Sequence, residues 1–174
     1  MAQHDRQAAL LEAIEIELKG KAFYVQARDQ AKHQLGKQIF AHLVKEEDGH
    51  LERIRDVFQA LQEKRPWPET KGVAAPIEAP GKVFARLVQE QAKHLKGDSD
   101  DIQALETALV LEEKNEKFYR DLIPKSRDAF AQEFFERLAG EERGHYQLVS
   151  DTVQYLSDPE TWFQEKQRSQ LDGA

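Results

Sequence analysis

Apolar residues recur at helical spacing through most of this chain. Between 8 and 33, Leu10, Ala13 and Ile14 are followed by Tyr24, Ala27 and Ala31, which predicts a first helix. A second spans about Lys37 to Lys64 and carries Phe40, Leu43, Leu51, Ile54, Phe58 and Leu61. Then the periodicity fails. RPWPETKGVAAPIEAP, at 65–80, holds four prolines and reads as a loop. Residues 82–95 are compatible with a short helix. GDSDD at 97–101 offers N-cap residues for a third long helix, Ile102 to about Ile123, which Pro124 closes. A fourth runs from near Asp128 and fades before Asp158-Pro159. The tail, 158–174, is largely polar but contains Trp162 and Phe163, which should cover a bundle end or a subunit contact.

The two halves repeat with an offset of 95 residues: AIEIELKGKAFY (13–24) lies over ALVLEEKNEKFY (108–119), and KEEDGHL (45–51) over GEERGHY (140–146). Glu17 thus matches Glu112, Tyr24 matches Tyr119, Phe40 matches Phe135, Glu47 matches Glu142, Gly49 matches Gly144 and His50 matches His145. So long a period indicates two copies of one helical hairpin, about 8–64 and 100–157, rather than a solenoid. Two amphipathic hairpins bury their stripes against each other, so the expected fold is all-α, a single-domain four-helix bundle over 1–174. The link at 65–99 is much longer than antiparallel neighbours need. About 35 residues at up to about 3.3 Å each can run the full bundle length. A long crossover of this kind makes the second and third long helices parallel, the ferritin-like arrangement.

The apolar seams are interrupted by charge. On the second helix, 40, 43, 47, 50, 54, 58 and 61 share a face, which puts Glu47 and His50 inside it. On the fourth, Glu142 and His145 stand among Phe135, Leu138, Val149 and Leu156. Glu17 lies between Ile14 and Tyr24, and Glu112 between Leu109 and Tyr119. Four carboxylates and two imidazoles therefore converge on one layer of the core. An ion-paired core without metal fails on charge, because four carboxylates would face at most two imidazolium groups. Two divalent cations balance the four carboxylates and leave the histidines neutral, as ligands must be. This is the ligand pattern of helical di-metal bundles. Within each E-x-x-H pair the glutamate can bridge two ions while the histidine binds one. Gly49 and Gly144 recur inside the motifs, which suggests that bulk is excluded there for close helix approach. Glu46 and Glu141 repeat too. They are read as solvated flanks, the alternative being acceptors that orient the opposite histidines.

Composition narrows the function further. The 174 residues carry a net charge of -7 and no basic run, which argues against a nucleic-acid partner. No stretch approaches a membrane span and the N-terminus lacks a signal-peptide pattern, so a cytoplasmic protein is expected. With no cysteine, thiol catalysis and Cys-ligated metals are excluded for this chain. Oxygen-rich ligands with one imidazole per ion suit iron or manganese, and zinc can enter the same site.

AIEIELKGKAFY…KEEDGHL and ALVLEEKNEKFY…GEERGHY resemble the helix pairs of rubrerythrin-like proteins in the ferritin-like superfamily, over about residues 8–157. The resemblance implies a diiron-carboxylate centre. Glu17 and Glu112 would be the single-helix ligands, Glu47 and Glu142 the bridges, and His50 and His145 the terminal ligands. Tyr24 and Tyr119 would hydrogen-bond ligand carboxylates. Two departures stand out. There is no rubredoxin domain with its four cysteines. And Asn115, with Glu116 beside it, stands where many rubrerythrins carry an additional carboxylate. The four-Glu, two-His set is closer to that of bacterioferritin-type centres.

The function implied is a diiron oxidoreductase that reduces hydrogen peroxide or dioxygen with electrons from an external donor protein such as a rubredoxin, as a homodimer. Two alternatives remain open at this level. One is ferroxidase or iron-storage activity in a large shell. The other is a structural bundle holding redox-inert metal.

Overall fold

The computed structural model describes residues 3–63, 78–91 and 96–164. Among these the chain is helical and forms a bundle: α1 Gln3–Gln30, α2 Gln34–Gln62, α3 Pro80–Gln89, α4 Ser99–Leu122 and α5 Ala129–Ser157, with a further short helix at 159–164. Most of the expected loop, at 64–77, and the end of the tail, at 165–174, lie outside the described residues.

Local chemistry sets the helix ends. Asp98 caps α4, its carboxylate accepting from the Asp100 N–H at 2.9 Å, so the helix starts three residues before Ile102. Asp128 caps α5, accepting from Ala131 N–H at 3.1 Å. The turn between α1 and α2 is held from a distance. Lys32 N–H donates to Asp101 Oδ1 at 2.9 Å and His33 N–H to Asp101 Oδ2 at 2.6 Å. Asp101 is buried, and its capture of these two amides ends α1 at Gln30 rather than at 33.

α1 pairs with α2, and α4 with α5; α1 also touches α4, and α2 touches α5. The repeat survives in three dimensions. Tyr24 stacks on Phe40 at 6.2 Å and Tyr119 on Phe135 at 6.4 Å, while Phe23 and Phe118 meet their neighbouring tyrosines edge-on at 5.4 and 5.2 Å. The core falls into two apolar halves. One gathers Tyr24, Phe40, Leu43, Leu105, Val149 and Leu156; the other Leu10, Ile54, Tyr119, Phe134, Phe135 and Leu138. Between the halves lies a polar layer.

α3 breaks this symmetry. It packs chiefly on α5 and also on α2, burying Val83, Phe84, Leu87 and Val88 against the first half. Trp162 meets Phe84 at 5.3 Å and Tyr155 at 5.5 Å, and Phe163 meets Tyr155 at 5.9 Å. These tail aromatics therefore cover one end of the bundle.

Two details differ from the sequence reading. On α2, Val57 is fully buried whereas Phe58 only packs against the core's edge. The 3.6-residue helix turns slightly past the seam there, so the neighbour takes the inward position. The glycine reading also fails at Gly49. A Cβ there would meet only the tip of Arg53 at 3.5 Å, an ordinary contact, so no close helix approach requires glycine. At Gly144 a Cβ would come within 3.3 Å of Pro80, the first residue of α3, so close approach applies to that copy alone.

Candidate metal centre

The polar layer is built from one residue of α1, two of α2, one of α4 and two of α5. Glu17, Glu47, Glu112 and Glu142 are 0 % exposed, His50 is 1 % and His145 6 %. Each interrupts an apolar stripe that its helix must bury, so packing the stripes carries the charges inward with them. All six residues singled out from the sequence come together.

They form two overlapping groups, each with ligand atoms within 4.8 Å of one another: Glu17, Glu47, His50 and Glu142, and then Glu47, Glu112, Glu142 and His145. Each group can hold a metal ion, and Glu47 and Glu142 belong to both. His50 turns Nδ1 inward, 3.1 Å from Glu17 Oε2, 3.0 Å from Glu142 Oε1 and 3.5 Å from Glu47 Oε2. His145 Nδ1 stands 3.6 Å from Glu112 Oε2. Both carboxylate oxygens of Glu47 and of Glu142, Glu112 Oε2 and His145 Nδ1 are buried without a hydrogen-bond partner. Buried polar atoms without partners are costly, and a cluster of them converging on one point fits cations supplied from outside the chain. The donor set, carboxylate oxygens with one imidazole nitrogen in each group, suits hard to borderline divalent metals.

The tyrosines sit where the sequence led one to expect, and their bonds cross between the repeats. Tyr24 Oη donates to Glu112 Oε1 at 2.5 Å, and Tyr119 Oη donates to Glu17 Oε1. Each hydroxyl fixes one oxygen of the carboxylate contributed by the other half. Asn115 is buried one turn beyond Glu112, whereas Glu116 pairs with Arg120 at 2.7 Å.

Glu141 corrects the sequence reading. Rather than a solvated flank, it is 6 % exposed and places Oε2 3.0 Å from His50 Nε2, a close charge contact rather than an aligned hydrogen bond. Arg137 Nε donates to its other oxygen at 2.9 Å, and Arg53 also pairs with it. The i, i+4 spacing of Arg137 and Glu141 was the one local signal of this clamp. Glu46, its counterpart, is half-buried.

The electrostatics show how the layer is neutralised without metal, and they correct the charge argument made from sequence. Burial pushes Glu142 up to about 8, assisted by the charges of Glu17 and Glu112. Burial likewise raises Glu112 to about 7 and lifts Glu47 well above the usual carboxylate range. Burial alone would raise Glu17 too, but the neighbouring Glu47 carboxyl and the charge of His50 bring it down to about 2. Burial opposes charge on His50, yet Glu17, Glu141 and Glu142 raise it well above its ordinary value. His145 is lowered, chiefly by burial. Near neutral pH these shifts favour a Glu17–His50 ion pair beside carboxyls that retain much of their protons. Protons can stand where the sequence argument required cations.

In comparisons with known proteins, no family model, no curated protein and no solved structure matches the chain. No helix among the described residues is long and apolar enough to cross a membrane.

Proposed function

We propose that this chain is a ferritin-like diiron oxidoreductase of rubrerythrin type that reduces hydrogen peroxide or dioxygen with electrons from an external donor. The observation that carries the reading is the pair of four-residue ligand groups, each with one histidine, sharing Glu47 and Glu142. Sharing two carboxylates is what a dinuclear centre requires and what a single-ion site does not.

The ferritin-like topology with its long crossover is supported by the ends that meet. Asp98 and Asp100, at the start of α4, pair with Lys32 in the α1–α2 turn, and Gly97 N–H donates to Leu156 O at the end of α5. α4 therefore begins at the end of the bundle where α2 begins, which supports a parallel arrangement of α2 and α4 and hence a long crossover.

In this reading Glu17 and His50 would hold one iron and Glu112 and His145 the other, with Glu47 and Glu142 available to both. Two iron ions held there would supply two one-electron equivalents, matching the two electrons and two protons that convert a peroxide to two waters, with the external donor restoring them. The chain's own residues do the rest. Glu112 and Glu142 hold protons near neutral pH in the metal-free protein and release them when cations bind. Tyr24 and Tyr119 hold Glu112 and Glu17 in place through their hydroxyls. Glu141 orients the His50 ring from behind. The two apolar halves exclude bulk water above and below the layer.

The test is anaerobic ferrous titration, followed by mixing with peroxide and with dioxygen under stopped-flow absorbance. Two irons per chain, oxidised together and faster by one oxidant, are expected. Ferric iron accumulating far beyond two per chain would favour storage, and fewer than two bound would end the dinuclear reading.

A further inference from the structure

The repeat makes the two halves of the metal layer equivalent in ligands but not in surroundings. At the 95-residue offset, Glu141 corresponds to Glu46, Arg137 to His42 and Arg53 to Leu148. Around His50 the first of each pair builds a closed clamp: Glu141 lies against Nε2, with Arg137 and Arg53 on its carboxylate. Around His145 the counterparts, joined by the outer side of the clamp itself, line a cavity of about 570 Å³ between α2, α5 and α3. At roughly 30 Å³ per water, that volume holds a hydrated ion with many waters to spare.

The cavity reaches one histidine and not the other. His145 is in its wall, together with His42, Glu46, Pro80 and Gly144. His50 is not in the wall, and Glu141, which is, stands between the cavity and the His50 ring. The side of His50 away from the cavity is closed as well, because Glu17 is 0 % exposed and bonded by both His50 and Tyr119. α3, which has no counterpart in the first hairpin, supplies the outer wall.

Resting on the dinuclear reading, we propose that the two cation positions are inequivalent: the Glu47–Glu112–Glu142–His145 position exchanges divalent cations through the cavity, and the Glu17–Glu47–His50–Glu142 position retains its ion behind Glu141. The first ion to enter passes His145 and moves inward. The second stays at the cavity wall. The cavity-side ion is also the one a small oxidant meets first. Glu141 acts as a positioning residue: it belongs to neither ligand group, and it fixes the His50 ring and blocks the path to it.

The experiment loads the full chain with Co²⁺, removes the excess and mixes it with a chelator while visible absorbance is followed. Two cobalt ions per chain should leave in two phases of equal amplitude, separated by about tenfold or more in rate. Crystals briefly soaked in chelator should keep one anomalous peak, beside His50. Glu141→Gln should speed the slow phase about tenfold and leave the fast phase unchanged. A merely loosened bundle would speed both, so equal acceleration overturns the proposal, as does release of both ions at one rate or a surviving peak beside His145. Those results would leave the dinuclear reading standing. Binding of fewer than two cobalt ions would overturn both.

Discussion

Glu142→Gln should stabilise the protein when metal is removed and destabilise it when metal is present. Glu142 is 0 % exposed, neither of its oxygens has a hydrogen-bond partner, and burial lifts it from 4.5 to about 8. A carboxyl raised on folding contributes a penalty that is absent below its unfolded value and grows as the pH climbs toward its folded value. At about pH 7 the folded state still holds a proton that the unfolded chain has released, which costs about 3 kcal/mol; at about pH 5 the cost is about 1 kcal/mol. Glutamine occupies the same volume and carries no such penalty. Its amide is as poorly partnered as the carboxyl was, and that shared defect cancels between the two pH values. In chelator the variant should therefore gain about 2 kcal/mol relative to wild type between about pH 5 and pH 7, worth roughly 4–8 °C in Tm for a chain this size. Added divalent cation should reverse the order, because glutamine cannot serve as an anionic ligand to both positions. Thermal melts followed by circular dichroism at the two pH values, with chelator and with Co²⁺, give all four numbers. A Tm difference in chelator that does not change with pH would show that Glu142 is not a strained, buried acid, and the electrostatic account of the layer would fall with it.

Other consequences follow from the same geometry. Tyr24→Phe removes the donor to Glu112 and should weaken cation binding about 10–100-fold by titration calorimetry with the helical signal intact; unchanged affinity would remove the hydroxyl from the site's support. Cation binding at about pH 7 should release protons, because Glu112 and Glu142 stand at about 7 and 8, and affinity should fall as the pH drops below about 8; calorimetry in buffers of different ionisation enthalpy measures this, and binding without proton release contradicts it. Glu17 works in the opposite window. Held at about 2, it contributes stability present above its unfolded value of 4.5 and lost as the pH falls toward 2, so acid unfolding in chelator should sharpen there and be blunted in Glu17→Gln. Gly49→Ala should raise stability by about 1 kcal/mol, since a methyl there meets only Arg53 at 3.5 Å, whereas Gly144→Ala should gain nothing against Pro80 at 3.3 Å; a lower Tm for Gly49→Ala would restore the packing role that the structure denies it.

The sequence by itself determined what local periodicity can carry. The 3.6-residue repeat and the Asp98 and Asp128 caps set the long helices to within a few residues. The i, i+3 spacing put Glu47 with His50 and Glu142 with His145 on single faces, and the 95-residue offset tied the two hairpins together. Because every one of the six residues replaces a member of an apolar stripe, burying the stripes was enough to bring them into one layer. Only the tertiary structure decided what depends on which neighbour stands beside a helix. A stripe is defined to within about 100° of arc, so a residue at its border can face either way. Glu141 is such a residue: two arginines, one of them on another helix, drew it against His50, while the matching Glu46 has no arginine at the equivalent positions, where His42 and Leu148 stand. The crossing of Tyr24 to Glu112 and Tyr119 to Glu17 likewise needed the packing of α1 on α4. So did the possibility that protons stand in for cations as counter-charge, because the pKa of a carboxyl depends on the distances between groups far apart in the chain, which no local pattern encodes.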